Sequence, residues 1–141
     1  MIVEFRDSSI ITQLKNKKNM ENIINLIQNN QLENALEIIN EEIVNPVYLG
    51  SEKYHELFFA RGIIRITKFE INKPLNDMLY QSAKEDFAHA QNAYLALHGK
   101  QCAKYDEAII YSDRLFANLN TKIIKGPYQV NKSNMSWFKN I

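Results

Sequence analysis

The chain is poor in the residues that punctuate β-structure and in those that staple small domains. Four glycines and three prolines in 141 residues are too few for the turns of a sandwich or barrel, and they favour helices. A single cysteine, Cys102, excludes an internal disulfide and points to a reducing compartment. No apolar run approaches the roughly 20 residues that span a bilayer, and Glu4, Arg6 and Asp7 interrupt any signal-peptide core. A cytoplasmic protein without a membrane segment is therefore expected. Neither sign of charge dominates. The 17 basic and 16 acidic side chains leave a net charge of +1, which argues against nucleic acid as the partner of the whole surface. The glycines are isolated singles, so no phosphate-binding loop is present and no cofactor is implied.

What the sequence does have is helical period, over a length that suits one domain. Residues 1–18 are ambiguous: "MIVEF" alternates like a strand, while Ser8 or Ser9 suits a helix cap. From there the spacing predicts five helices, near 19–29, 31–44, 52–71, 75–98 and 101–119. In the first, Met20, Ile23, Ile24 and Ile27 share a face. Asn30 and Glu33 form a capping-box-like start for the second, which Asn45-Pro46 ends. The third, "YHELFFARGIIRI", is apolar nearly all round, which predicts burial on more than one side. Pro74 suits the first position of the fourth. Its stripe runs Leu75, Leu79, Ala83, Phe87, Ala90, Tyr94 and Leu97, until His98-Gly99 caps it. The fold class is all-α, built from stacked antiparallel hairpins. A basic, aromatic tail over 120–141 carries Lys122, Lys125, Lys132 and Lys139 with Tyr128, Trp137 and Phe138. It is expected to pack its aromatic side chains on the parent domain or on a second subunit.

"FFARGIIRI" followed by "AKEDFAHA" resembles the tetratricopeptide repeat (TPR), a helix-turn-helix unit. Phe58 and Gly62 match the large residue and glycine of its first helix; Ala83, Phe87 and Ala90 match the Ala-x3-aromatic-x2-Ala of its second. Small side chains at Gly62 and Ala83 allow close approach, Phe87 fills the space between the helices, and Ala90 admits the next helix. Gly62 and Ala83 are farther apart than the standard repeat requires, and both helices read as extended at the end where they meet. A degenerate repeat covers 19–46, an extended one 52–98, and 101–119 reads as a capping helix.

The resemblance implies a non-catalytic adaptor or chaperone that holds a protein or peptide segment in an apolar groove lined by the first helix of each repeat. By register this marks Phe59, Ile63, Ile66 and Thr67, with Met20, Ile24 and Ile27 from the degenerate repeat. The Lys/Asn pattern by which some members clamp a terminal carboxylate is absent. Arg61, Arg65 and Lys68 run down the one polar edge of the third helix. Arg61 is expected to pair with Asp86, leaving Arg65 and Lys68 for carboxylates of a partner. Other classes compete with this reading. One is a self-associating structural protein, such as a homodimer, or an immunity-type inhibitor. Another is an enzyme with a polar pocket around Ser82 and His89. Ser82, Asp86 and His89 share one helix face, which reads as solvated because a triad needs convergent side chains and an oxyanion hole. His98 and Cys102 at a helix end, and His55 beside Glu52 and Glu56, lack a second pair of ligands, so no metal site is expected.

Overall fold

The computed structural model describes residues 20–71 and 76–121, and every regular element in them is helical. Helix α1 runs over 20–28, α2 over Leu32–Ile43, α3 over Glu52–Ile71, α4 over Asp77–His98 and α5 over Ala103–Thr121. The expectations for residues 1–18, for Pro74 and Leu75, and for the basic tail with Trp137 lie outside the described residues.

The boundaries follow from local chemistry. Asn30 adopts a left-handed φ of 62°, and the Gln31 amide donates to the Leu26 carbonyl at 2.8 Å, the bond that closes a helix C-terminus. This corrects the capping-box reading: Asn30 ends α1, and the N-cap of α2, Gln31, makes no side-chain cap bond. Between α2 and α3 the Asn45 side chain accepts from the Val47 amide, and Pro46–Tyr48 forms a 3₁₀ turn. Helix α4 starts two residues later than predicted because Asn76 caps it, its Oδ1 accepting from the Met78 amide at 3.0 Å. Gly99 closes α4 in the left-handed conformation, φ 71°, donating to Leu95. Gln91 then fixes the next turn, accepting from the Cys102 amide and donating to the Cys102 carbonyl and Asp106, so α5 begins at Ala103 rather than at 101.

Helix α3 is the centre of the packing. Its pairs with α4 run from His55 and Tyr94, through Arg61 and Asp86, to Phe69 and Tyr80, so the two helices are antiparallel. Pairs of α3 with α2 (Lys68 with Glu33, Arg61 with Asn40, Lys53 with Glu42) are antiparallel as well. Helix α5 turns back along α4, placing Asp106 near Gln91 and Asp113 near Tyr80. It also lies parallel to α3, with Tyr105 on Phe59 and Phe116 on Phe69. Three neighbours explain why α3 is apolar nearly all round.

At the middle of the α3–α4 contact, Gly62 faces the ring of Phe87. A Cβ at Gly62 would lie 2.5 Å from Phe87 Cε1, which no side chain tolerates without movement of the ring. Ala83, Phe87 and Ala90 are wholly buried, and the Phe87 ring tilts against Phe59 at 5.7 Å.

Candidate functional site

Among the described residues two features of the surface carry chemistry, and both are built on α3. The first is its outer edge. Tyr54, Phe58, Arg61, Arg65 and Lys68 are the half-buried residues spaced four, three, four and three apart, one continuous stripe along the helix. Its N-terminal half is aromatic: Tyr54 meets Phe58 edge-on at 5.1 Å, and Phe58 stacks on His89 of α4. Its C-terminal half is cationic.

Asp86 sits beneath that half and is 1% exposed. Arg61 donates to it from Nε, shared between both oxygens, and from Nη2 to Oδ1, at 2.9–3.2 Å, and Arg65 Nη1 donates to Oδ2 at 2.8 Å. Lys68 pairs with Glu33 of α2. Two expectations are therefore corrected. Asp86 is no solvated companion of Ser82 and His89, because two guanidinium groups cover it. Arg65 and Lys68 do have acidic neighbours, because α3 lies between α2 and α4 and each supplies one.

The predicted groove residues lie elsewhere. Phe59, Ile63 and Ile66 are in the core, and Thr67 is buried with its hydroxyl donating to the Ile63 carbonyl. Met20 and Ile27 are also in the core, and Ile24 is half-buried against it. The cause is α5: Tyr105 and Phe116 occupy the side of α3 that a two-helix repeat alone would leave open.

The second feature lies at the N-terminal end of α3. Glu52 and His55, three residues apart, share a face of its first turn. His98 ends α4, and the antiparallel pairing brings it to the same place. Glu52 Oε2 is 2.7 Å from His55 Nε2, and Glu52 Oε1 is 2.5 Å from His98 Nε2. A carboxylate only accepts, so both imidazoles donate to it. His55 Nδ1 lies 2.5 Å from the hydroxyl of Tyr105, which donates to it in that tautomer. Glu56, Tyr94, Cys102 and Lys104 complete the walls of a pocket of about 240 Å³. Burial lowers the pKa of His55 against the opposing effect of Glu52. Burial, then the charge of Glu52, raises Glu56 to about 7. Burial also pushes the Tyr105 phenol up, so it stays neutral.

In the sequence these side chains stand apart, Glu52 and His55 in one helix and His98 at the end of the next. The signal that joins them is the spacing Glu52-x-x-His55 at the start of one helix and a histidine at the end of its antiparallel neighbour. Comparison of the chain with protein-family models, with curated proteins and with solved structures finds no match. Among the described residues, no helix is long and apolar enough to cross a membrane.

Proposed function

We propose that the chain is a non-catalytic protein-interaction module, an adaptor or chaperone of TPR-like construction, that holds a protein segment along the outer edge of α3. The observation that carries this reading is the sharing of one carboxylate by two arginines. Asp86 neutralises one guanidinium, so the cationic half of the stripe keeps an excess of positive charge. Among the described residues Arg65 donates one hydrogen bond, from Nη1 to Asp86, and its side chain is 27% exposed. A guanidinium presented in that way suits a partner carboxylate.

The aromatic half supplies an apolar anchor. Phe58 and Arg65 are seven residues apart, about 10 Å along the helix. The segment it takes carries an apolar side chain and, two helical turns away, an acidic one. Close packing of Gly62 against Phe87 supports the TPR-like reading, because that repeat needs a small residue facing an aromatic ring there. The test is selection from a random peptide library displayed on phage. Enriched peptides should pair an apolar residue with Asp or Glu at that separation, and should bind Arg65→Gln/Lys68→Gln more weakly. Selection without acidic bias, or equal binding by the variant, would overturn the proposal.

A self-associating protein is the second reading, favoured by one observation. Val44, Val47 and Leu49 are each more than 60% exposed within the α2–α3 connection. Sedimentation equilibrium separates the readings, since Val47→Asp dissociates an assembly built on that patch and leaves peptide capture intact.

A further inference from the structure

The cluster at the mouth of the α3–α4 pair has the composition of a zinc site of the two-histidine, one-carboxylate kind. Three potential ligand atoms, one each from Glu52, His55 and His98, lie within 4.8 Å of one another. They come from two helices held in register by the buried contacts described above. We propose that this pocket binds one divalent ion of the Zn²⁺ type through Glu52, His55 and His98, with the fourth position open to the pocket.

Geometry supports the assignment. Ligands at about 2.0–2.1 Å from a tetrahedral ion stand roughly 3.3 Å apart. The nitrogen–oxygen pairs, which use different oxygens of Glu52, are 2.5 and 2.7 Å apart, and the three ligand atoms lie within 4.8 Å of one another, so shifts of about 1 Å bring them to the spacing of a bound ion. Glu52 and His98 are partly exposed and have room for that movement, while buried His55 provides the fixed point. Tyr105 supplies the supporting hydrogen bond that ligating imidazoles require. When His55 Nε2 gives up its proton to bind the ion, Nδ1 carries one instead and donates to the same hydroxyl, which accepts as readily as it donates.

Charge and size agree. The carboxylate offsets one charge of the ion, and the C-terminal end of α4 favours a cation at His98. The positive end of α3 and the Lys104 ammonium in the pocket wall oppose it, and the acidic side chains Glu52 and Glu56 of the same wall offset them. A pocket of about 240 Å³ is smaller than the roughly 300–1,000 Å³ of organic-ligand sites and suits an ion with its water. Imidazole and carboxylate together select Zn²⁺ over Ca²⁺ or Mg²⁺, which prefer all-oxygen shells. Cys102 lines the pocket, but its sulfur is not in the three-atom cluster.

The experiment is calorimetric titration of the chelator-stripped full chain with Zn²⁺, paired with visible absorption of the Co²⁺-loaded protein. One equivalent should bind, raise the melting temperature and give the intense visible bands of a four-coordinate Co²⁺ ion. His98→Ala and Glu52→Gln, both at partly exposed positions, should keep the helical circular dichroism. Each should lose more than about tenfold in affinity, since even a lost supporting hydrogen bond costs that much. Tyr105→Phe should lose about tenfold, and Cys102→Ser should bind like the parent. No saturable binding, or equal binding by His98→Ala, would show that the cluster is only a hydrogen-bonded staple. A large loss in Cys102→Ser would replace the three-ligand assignment with a thiolate site.

Discussion

The α3–α4 contact is made in two ways along its length. In the middle it is dry. Gly62 has no side chain, Phe87 fills the space that this leaves, and the buried carboxylate beside them, Asp86, is covered by two arginines. At the end near Glu52 it is polar and open: a carboxylate bridges two imidazoles beside a pocket, and Glu52 is half-exposed. In the middle the polar contact is confined to one edge, where Arg61 and Arg65 close over Asp86, and leaves no gap between the helices. Where the ring and the glycine meet, stability is concentrated. Where the helices present short polar groups across a gap, there is room for a ligand.

Substitutions can break that contrast. Phe87→Ala should produce the largest effect, a loss of about 3–5 kcal/mol by denaturant unfolding, because the cavity lies between helices that cannot collapse onto it. Gly62→Ala should come next, at about 1–3 kcal/mol, since a Cβ placed 2.5 Å from the ring must push it aside. An unchanged midpoint for both would mean that the middle of the contact is not dry. Arg61→Ala should cost about 1–3 kcal/mol, because it strips the two-pronged donor from a buried carboxylate. Arg65→Gln should cost less, since Arg61 remains on Asp86. His98→Ala, at the polar end, should lower stability by no more than about 1 kcal/mol without metal, as partly exposed pairs do.

The smallest expected effect is on pH dependence and lies on α5. Burial raises the Asp113 carboxyl, but hydrogen bonds from Tyr80 and Lys84 outweigh it and hold the pKa below its ordinary 3.8. A carboxylate lowered on folding stabilises at pH above its unfolded value and loses that contribution as pH falls through the folded one. Asp113→Asn should therefore be slightly less stable than the parent at pH 7, and the gap should close on acidification below about pH 4. A gap that does not narrow at all as the pH falls below about 4 would assign the effect to packing.

Much of the fold was legible because it rests on periodicity and end signals. The apolar stripes of α1, α2 and α4, the Gly99 cap and the contact of Gly62 with Phe87 are all local or nearest-neighbour facts. What was not legible depends on the third partner of α3. Phe59 and Phe58 are adjacent in sequence, and only the position of α5 decides that Phe59 enters the core while Phe58 faces outward with Arg61 and Arg65. The same holds for Arg65, whose acid belongs to α4 and is already used by Arg61. The Glu52–His55–His98 cluster needed the register of two helices, which no single window of sequence contains.

The central place of α3 also has a consequence in time. From α2 onward each helix packs on the next in the chain, and the pairing of α3 with α5 skips only one element. Contacts between sequence neighbours close short loops, which favours rapid folding. The chain can assemble outward from the α3–α4 pair, with α2 and α5 added to a hairpin already in register. A nascent chain that has released α4 from the ribosome then holds the most extensive helix–helix contact among the described residues before α5 is made.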